Sequence, residues 1–446
     1  MLLKNLNWDF IIRSSIILIF VFLLSCSEKE IKQPFLSENN PWQSIRKERI
    51  YKLLPHAMKN GGVDAWIVIC RENNNDPLAM HIGGENAGGT AAFMFFLTGE
   101  KVRSLVISPK GEATALKEME LHDEVFVIER GSNIWGMVAQ QIKENDPMKI
   151  AINSSAYNIA DGLSFTQRTL LNEALDPEYV ERILPSTDLV MEWLSVKLPE
   201  EVEIMRKAAE ITAQLQVEAY KTIVPGETKD SDVAAYIKKR MKELGVTDAW
   251  APDQNPNVNS GQDRGHSHAT DKIIQPGDVI QTDFGIKVYD TWCSDIQRFA
   301  YVLKQDESEP PEEMKKYFDN AIKGHRKVLT AMKPGVTGWE VDKTQRDWIK
   351  ESGSLPIMWG TGHPVGYWAH DAGPALSGAA HWHIPFRNNA RLLRKGQTFA
   401  YDGFFKWERE DGTTKTISVE EMAVVTDSGA EYLIKPQEEW ILISSK

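Results

Sequence analysis

At 446 residues, 42% hydrophobic and 26% charged, the chain has the composition of a globular protein and the length of two domains rather than one. A formal net charge of −12 with no Lys/Arg-rich block lacks the basic excess that phosphate backbones require, which excludes nucleic acid as a partner. Three cysteines are too few for a disulfide framework.

The first stretch reads as a leader. Lys4 and Arg13 outweigh Asp9 ahead of an apolar run over 16–24, and that run is far shorter than the roughly 20 residues a spanning helix needs. Its ending, Leu23-Leu24-Ser25-Cys26, resembles the bacterial lipoprotein box. The resemblance implies that residues 1–25 are a cleaved signal peptide and that Cys26 becomes a lipidated N-terminus. The protein would then be an exported lipoprotein, on the periplasmic face or the cell surface, meeting the membrane through its anchor only. An uncleaved anchor is the alternative. Residues 26–44 form the lipidated Cys and a polar tether, and Cys70 and Cys293 are expected as buried thiols.

Residues 45–188 alternate helical and extended patterns, the signature of an α/β unit. A helix over 45–60 is stopped by Gly61-Gly62, strands follow over 64–70, 91–98 and 104–108, and Pro109-Lys110-Gly111 reads as a turn. A strand over 125–129, a helix over 134–145 and a strand over 149–153 continue the alternation. Gly83-Gly84 and Gly88-Gly89 have neither the GxGxxG spacing nor a P-loop lysine, so no phosphate loop is present. His81 and Glu85 between them read as surface groups.

A second unit spans 189–446. Pro199-Glu200-Glu201 opens a helix with Val202, Met205, Ala208, Ala209, Thr212 and Leu215 on one face, and its acidic start suits the helix dipole. Further helices are expected over 231–244, 311–332 and 338–352. Between them, over 277–302, Ile280, Thr282, Phe284, Ile286 and Val288 alternate with Gln281, Asp283, Gly285 and Lys287. Tyr289-Asp290-Thr291 is turn-like, and alternation resumes from Trp292 to Val302. This is a β-hairpin that brings Asp283 and Asp295 together in a partly buried place. Carboxylates in such a place need protonation, a basic partner or a metal. On the hairpin alone, the plain reading pairs one of them with Arg298.

Three later stretches bear on the hairpin: Gly360-Thr361-Gly362-His363 with His370 seven residues on, a strand ending in Asp402-Gly403, and Glu420 heading the β-branched run 423–426. In order and spacing the whole set resembles the pita-bread metallopeptidases: aminopeptidase P, prolidase and their relative creatinase. The resemblance implies a creatinase-like N-terminal α/β domain followed by a C-terminal pita-bread domain. It places Asp283, Asp295, His363, Asp402 and Glu420 around two divalent ions, most suitably Mn²⁺, with Zn²⁺, Co²⁺ or Fe²⁺ as alternatives. It also implies His266 near the scissile bond, with His268 as the competitor, His370 steadying the tetrahedral intermediate, and Asp402 combining ligand and proton-transfer duties. The activity it implies is that of an Xaa-Pro aminopeptidase or dipeptidase acting on peptides with proline second, in a homo-oligomer.

The sequence departs from the family pattern at several points. Asp402 stands where those enzymes carry Glu, Trp359 where many have a second pocket His, and Ser418 where aminopeptidase P has Arg; one extra residue separates the two hairpin carboxylates. Asp402 is one methylene short, so the backbone must shift, which Gly403 in place of a proline would allow, or the residue reaches its ion through water. Compensation is the expectation. Trp250, Trp292, Trp359, Trp368 and Trp382 lie near the matched motifs as core residues or as walls of a proline pocket. Two other functions compete: a weakened homologue that only binds peptides, and a creatinase-like amidinohydrolase, which the retained ligand set disfavours.

Overall fold

The computed structural model describes residues 40–265 and 267–445. The leader, Cys26 with the tether as far as residue 39, and His266 lie outside the described residues.

The chain enters as one helical run: Trp42–Glu48, a π-helical turn Arg49–Leu53, then Leu54–Asn60, closed by Gly61-Gly62. Six strands follow: β1 (Ala65–Arg71), β2 (Thr90–Thr98), β3 (Lys101–Pro109), β4 (Glu124–Ile128), β5 (Ile150–Ile152) and β6 (Ile183–Pro185). They form one mixed sheet ordered β4-β3-β2-β1-β5-β6. β1 is apolar along nearly its whole length because both its faces are covered. Trp66, Val68 and Cys70 face the core that includes the entry helices, while Ala65, Ile67 and Ile69 face the helices Ile134–Asn145 and Phe165–Ala174. The expected turn at Pro109-Lys110-Gly111 is instead the end of β3 and the start of a helix, Lys110–Glu118. Ala113 and Leu116 give that helix an inward face. His81 is not a surface group. Residues far along the chain enclose it, with Trp42, Trp193 and Tyr367 against its ring and both ring nitrogens buried without a hydrogen bond. Burial, then the nearby Arg49 and Lys197, hold its pKa well below the usual value. Glu85 is exposed, and it pairs with Arg46 at 2.5 Å. Cys70 and Cys293 are free, buried thiols.

After the helix Thr187–Ser195, the helices Pro199–Tyr220 and Asp230–Leu244 precede the remaining strands. These are β7 (Thr247–Asp248), β8 (Asn257–Ser260), β9 (Val279–Phe284), β10 (Ile286–Val288), β11 (Trp292–Cys293), β12 (Ile296–Val302), β13 (Gly362–Pro364), β14 (Thr398–Glu408), β15 (Thr414–Val425), β16 (Ala430–Tyr432) and β17 (Ile441–Ile443). Two four-stranded sheets result, β17-β12-β9-β8 and β13-β14-β15-β16, with a small third, β11-β10-β7. β12 meets β15, so the two larger sheets confront one another. Helix Pro199–Tyr220 lies on the first sheet, and helix Glu312–Ala331 covers β14 and β15 of the second. Met205, Ala208, Ala209, Thr212 and Leu215 are buried on the expected helix face. One apolar cluster runs from Ile50 and Trp66 through Leu194 and Met205 to Phe284 and Met422, so the N-terminal and C-terminal sheets share a core.

The hairpin forms, but its returning strand is broken. β9 and β12 pair antiparallel from Phe284↔Ile296 to Val279↔Tyr301. Tyr289 and Asp290 turn the chain at φ of 53° and 52°. At Ser294-Asp295 the expected run 292–302 is interrupted. The Ser294 carbonyl lies 2.3 Å from where a Cβ on Gly285 would be, so only glycine admits this approach. Ser294 Oγ in turn accepts the Ile286 N–H at 3.0 Å.

Candidate metal centre

Strand register places the acidic groups. Residues directly opposed in an antiparallel pair share a face, as do residues two apart on one strand. Asp283 opposes Gln297, so both fall on one face of β9–β12, and Asp295 sits at the break just before β12. On the facing sheet His363 opposes Ala400 and Asp402 opposes Glu420, which puts His363, Asp402, Glu420 and Ser418 on one face. Contacts between the sheets close the site: Ser418 Oγ donates to Gln297 Oε1 at 2.7 Å, and Gln297 Nε2 donates to Asp402 Oδ1 at 3.3 Å.

Two groups of close donors result. Asp283, Asp295 and Glu420 each offer an oxygen within 4.8 Å of the others, and Asp295, His363 and His370 do the same with one atom apiece. Asp295 belongs to both. His363 Nε2 lies 3.7 Å from Asp295 Oδ2 and 3.8 Å from Glu420 Oε1, and the His370 ring centroid is 4.0 Å from that of His363. His363 Nδ1 is 3.2 Å from the Pro364 carbonyl. An imidazole that donates from Nδ1 to this oxygen presents the Nε2 lone pair to the carboxylates, the orientation usual for a metal-ligating His.

Asp402 is on the right face but belongs to neither group. Its side chain is shorter than Glu by one methylene, about 1.5 Å. A Cβ on Gly403 would meet the Ala321 carbonyl at 2.4 Å and His325 at 2.5 Å, so the glycine admits helix Glu312–Ala331 against the opposite face of β14.

Electrostatically the site asks for cations. Asp295, Asp402 and Glu420 are all buried, and burial first, then the neighbouring carboxylates, raises their pKa values well above the usual range. Arg298 eases Glu420 from a distance, but it is not the partner of a hairpin Asp that the plain reading of the hairpin expected. It turns to Glu421, with Nη1 to Oε1 at 2.7 Å and Nη2 to Oε2 at 3.1 Å. Among the described residues no Lys or Arg forms an ion pair with Asp295, Asp402 or Glu420, and Glu420 Oε2 is buried with no hydrogen-bond partner. Buried orphan oxygens are rare. A divalent ion fits this donor set of hard oxygens and one imidazole.

Of the other residues singled out by sequence, His268 is exposed and His266 lies outside the described residues. Trp292 is fully buried, Trp250 and Trp368 are partly buried, and Trp359 and Trp382 are 49% and 43% exposed. Sequence reasoning missed Gln297. Its signal was available, since the hairpin pairs it directly opposite Asp283.

The pattern of metallopeptidase family M24 matches residues 203–427, half of the chain. The Xaa-Pro dipeptidase of Pyrococcus furiosus is 25% identical over 300 residues, 67% of this chain and 78% of that protein. Two solved structures are similar over most of the chain. The Xaa-Pro dipeptidase from Bacillus anthracis gives a TM-score of 0.64 at 21% identity, covering 90% of this chain and 100% of that one. The X-Pro aminopeptidase from Thermotoga maritima gives 0.64 at 23%, covering 87% and 100%. At these identities the two structures speak to the fold, which is the expected two-part arrangement ending in a pita-bread unit.

Proposed function

The chain belongs to metallopeptidase family M24, and on that premise we propose that it is a dinuclear, metal-dependent exopeptidase that hydrolyses the bond before proline, as an Xaa-Pro aminopeptidase or dipeptidase. The names of the related proteins support the substrate class. The observation that carries the reading is the convergence of Asp283, Asp295, Glu420 and His363, with Glu420 Oε2 buried and unpartnered.

Asp283, Asp295, His363 and Glu420 would hold the ions, with Asp402 as the further candidate ligand. Mn²⁺ suits these donors best, with Zn²⁺, Co²⁺ and Fe²⁺ as alternatives. When bound, such a pair of ions polarises the scissile carbonyl and lowers the pKa of an attacking water. The chain's own residues do the rest. Gln297 Nε2 occupies Asp402 Oδ1, leaving Oδ2 to take a proton from the attacking water and return it to the prolyl nitrogen as the C–N bond breaks. His370, exposed at the rim of the site beside His363, donates to the carbonyl oxygen as charge gathers there. His266 is the candidate for a second contact near the scissile bond. Trp359 and Trp382 are exposed enough to wall a proline ring, whereas Trp292 is core.

The leader sequence supports an enzyme anchored by lipid at Cys26 that trims peptides outside the cytoplasm, and the family resemblance supports a homo-oligomer. The weakened-homologue reading is favoured by one observation, that Asp402 belongs to neither donor group. Metal analysis decides the core of the proposal: the purified protein should carry up to two divalent ions per chain, and Asp295→Ala should lose both. Unchanged metal content in Asp295→Ala would overturn the site.

A further inference from the structure

Behind His370 lie four charged side chains that the proposed chemistry does not use. Arg49 comes from the π-helical turn of the entry helix, Lys197 and Glu201 flank the start of helix Pro199–Tyr220, and Asp371 follows His370 directly. All four side chains are 0–1% exposed. Arg49 Nη1 pairs with Glu201 Oε2 at 2.7 Å, and Lys197 Nζ with Asp371 Oδ2 at 3.1 Å. Tyr367 joins the pairs: its hydroxyl donates to Glu201 Oε1, and its N–H donates to Asp371 Oδ2 at 2.9 Å.

Arg49 also donates to the Val196 and Trp193 carbonyls at 2.8 and 2.6 Å, and Lys197 Nζ to the Leu194 carbonyl, while the Asp371 side of the network bears on the path of the chain from His363 to His370. Asp371 Oδ1 accepts the Ala372 N–H at 2.7 Å, and the Asp371 N–H reaches back to the Pro364 carbonyl at 2.9 Å. The Gly366 carbonyl accepts the Cys293 N–H at 2.6 Å, two residues before Asp295. A Cβ on Gly366 would lie 2.2 Å from Asp371 Oδ2 and 2.3 Å from Lys197 Cε, so this backbone lies directly on the ion pair. Stability alone is a poor explanation for such a network. Desolvating buried charges costs several kcal/mol per ion, and well-packed apolar replacements are often as stable or more so. The best-attested use of buried charge is to fix one arrangement among several. The arrangement fixed here is the loop that sets an exposed imidazole, His370, against Asp295 and His363.

We propose that Lys197, Asp371, Glu201 and Arg49 are positioning residues for His370. Through Arg49 the N-terminal helical run thereby controls turnover at a site whose donors all come from residues 283–420. A π-helical turn suits this, since such turns are rare and concentrate at functional positions. The inference rests on the peptidase reading and on His370 acting at the substrate carbonyl.

The test is a double-mutant cycle on the metal-loaded, full-length protein. Lys197→Met, Arg49→Met and the isosteric Asp371→Asn should each lower kcat for an Xaa-Pro peptide by about 10- to 100-fold, the scale of small misplacements. KM should change by less than about 3-fold, and Mn²⁺ stoichiometry should not change, because the ion-holding residues lie elsewhere. In a His370→Ala background the same substitutions should cost no further kcat, because they act through that ring. Equal losses in both backgrounds, or undiminished kcat in folded variants, would overturn the proposal. Asp371→Asn keeps the shape if the apolar variants fail to fold. A wild type silent on Xaa-Pro peptides would sink the peptidase reading instead. The His370 ring signal in a ¹H–¹³C correlation spectrum then decides: a shift in Asp371→Asn supports positioning, and an unmoved signal refutes it.

Discussion

Lengthening Asp402 to Glu should strengthen this site. Asp402 opposes Glu420 in register and shares a face with His363, yet no oxygen of Asp402 joins either group of close donors. The added methylene supplies about 1.5 Å, while metal–oxygen distances tolerate only about ±0.2 Å, so the gain is far larger than the tolerance. One contact is at risk, the 3.3 Å hydrogen bond from Gln297 Nε2, which contributes about 0.5–1.5 kcal/mol. That loss acts on folding whether or not metal is bound, whereas a new oxygen ligand acts on binding. Asp402→Glu should therefore be somewhat less stable without metal, bind the weaker of two Mn²⁺ ions at least about 10-fold more tightly, equivalent to about 1.4 kcal/mol, and turn over Xaa-Pro peptides up to about 10²-fold faster. Calorimetric Mn²⁺ titration of wild type, Asp402→Glu and Asp402→Ala, with hydrolysis at saturating metal, reads all three quantities. If Asp402→Glu weakens binding while Asp402→Ala loses one ion, the native Asp is already a well-placed ligand and the argument fails. If Asp402→Ala binds two ions as wild type does, Asp402 is no ligand at all.

Arg298→Met should cost about 3–5 kcal/mol in denaturant unfolding, because Glu421 is left charged and 0% exposed, and Arg298→Met/Glu421→Met should recover most of it; a single-variant loss under 1 kcal/mol would contradict this. His122, buried between Ser104 and the Ile82 carbonyl, has its pKa pushed by burial from 6.5 down to about 4. The unfolded chain therefore binds a proton that the folded one refuses. The stability His122 contributes is full above pH 6.5 and falls by about 1.4 kcal/mol per pH unit towards pH 4. His122→Gln should flatten that part of the wild-type stability profile, and a parallel profile would refute the assignment. Cys26→Ser should release the protein from membranes; if it still sediments as an uncleaved precursor, the leader is a plain anchor.

What was legible in the sequence depended on local pattern. Alternation gave the hairpin that brings Asp283 and Asp295 together, and the Thr337–Glu340 capping box with Gly353 beyond the last turn bounds helix Gly338–Ser352. Pro109-Lys110-Gly111 misled because a proline before the first helical turn reads like a turn residue, and only the burial of Ala113 and Leu116 reveals the helix. The break at Ser294-Asp295 was hidden because it is forced by packing against Gly285. His81 looked exposed in a glycine-rich stretch, and what buries it includes Trp193 and Tyr367, more than a hundred residues away. The pairs Arg49–Glu201 and Lys197–Asp371, 152 and 174 residues apart in sequence, leave no local trace at all. Gly403 was expected to let Asp402 reach its ion; the contact it makes, with the Ala321 carbonyl and His325 close against β14, is made by residues far off in the sequence and had no local trace.

The most direct measurement is release of the N-terminal residue from a matched pair of peptides, Xaa-Pro-containing and Xaa-Ala-containing, by wild-type protein dialysed against chelator and then reloaded with Mn²⁺. The account predicts cleavage of the proline peptide only, lost on chelation and restored by metal, with Asp295→Ala inactive under all conditions. Cleavage that survives chelation, or a reloaded protein that binds two ions and hydrolyses neither peptide, would contradict it.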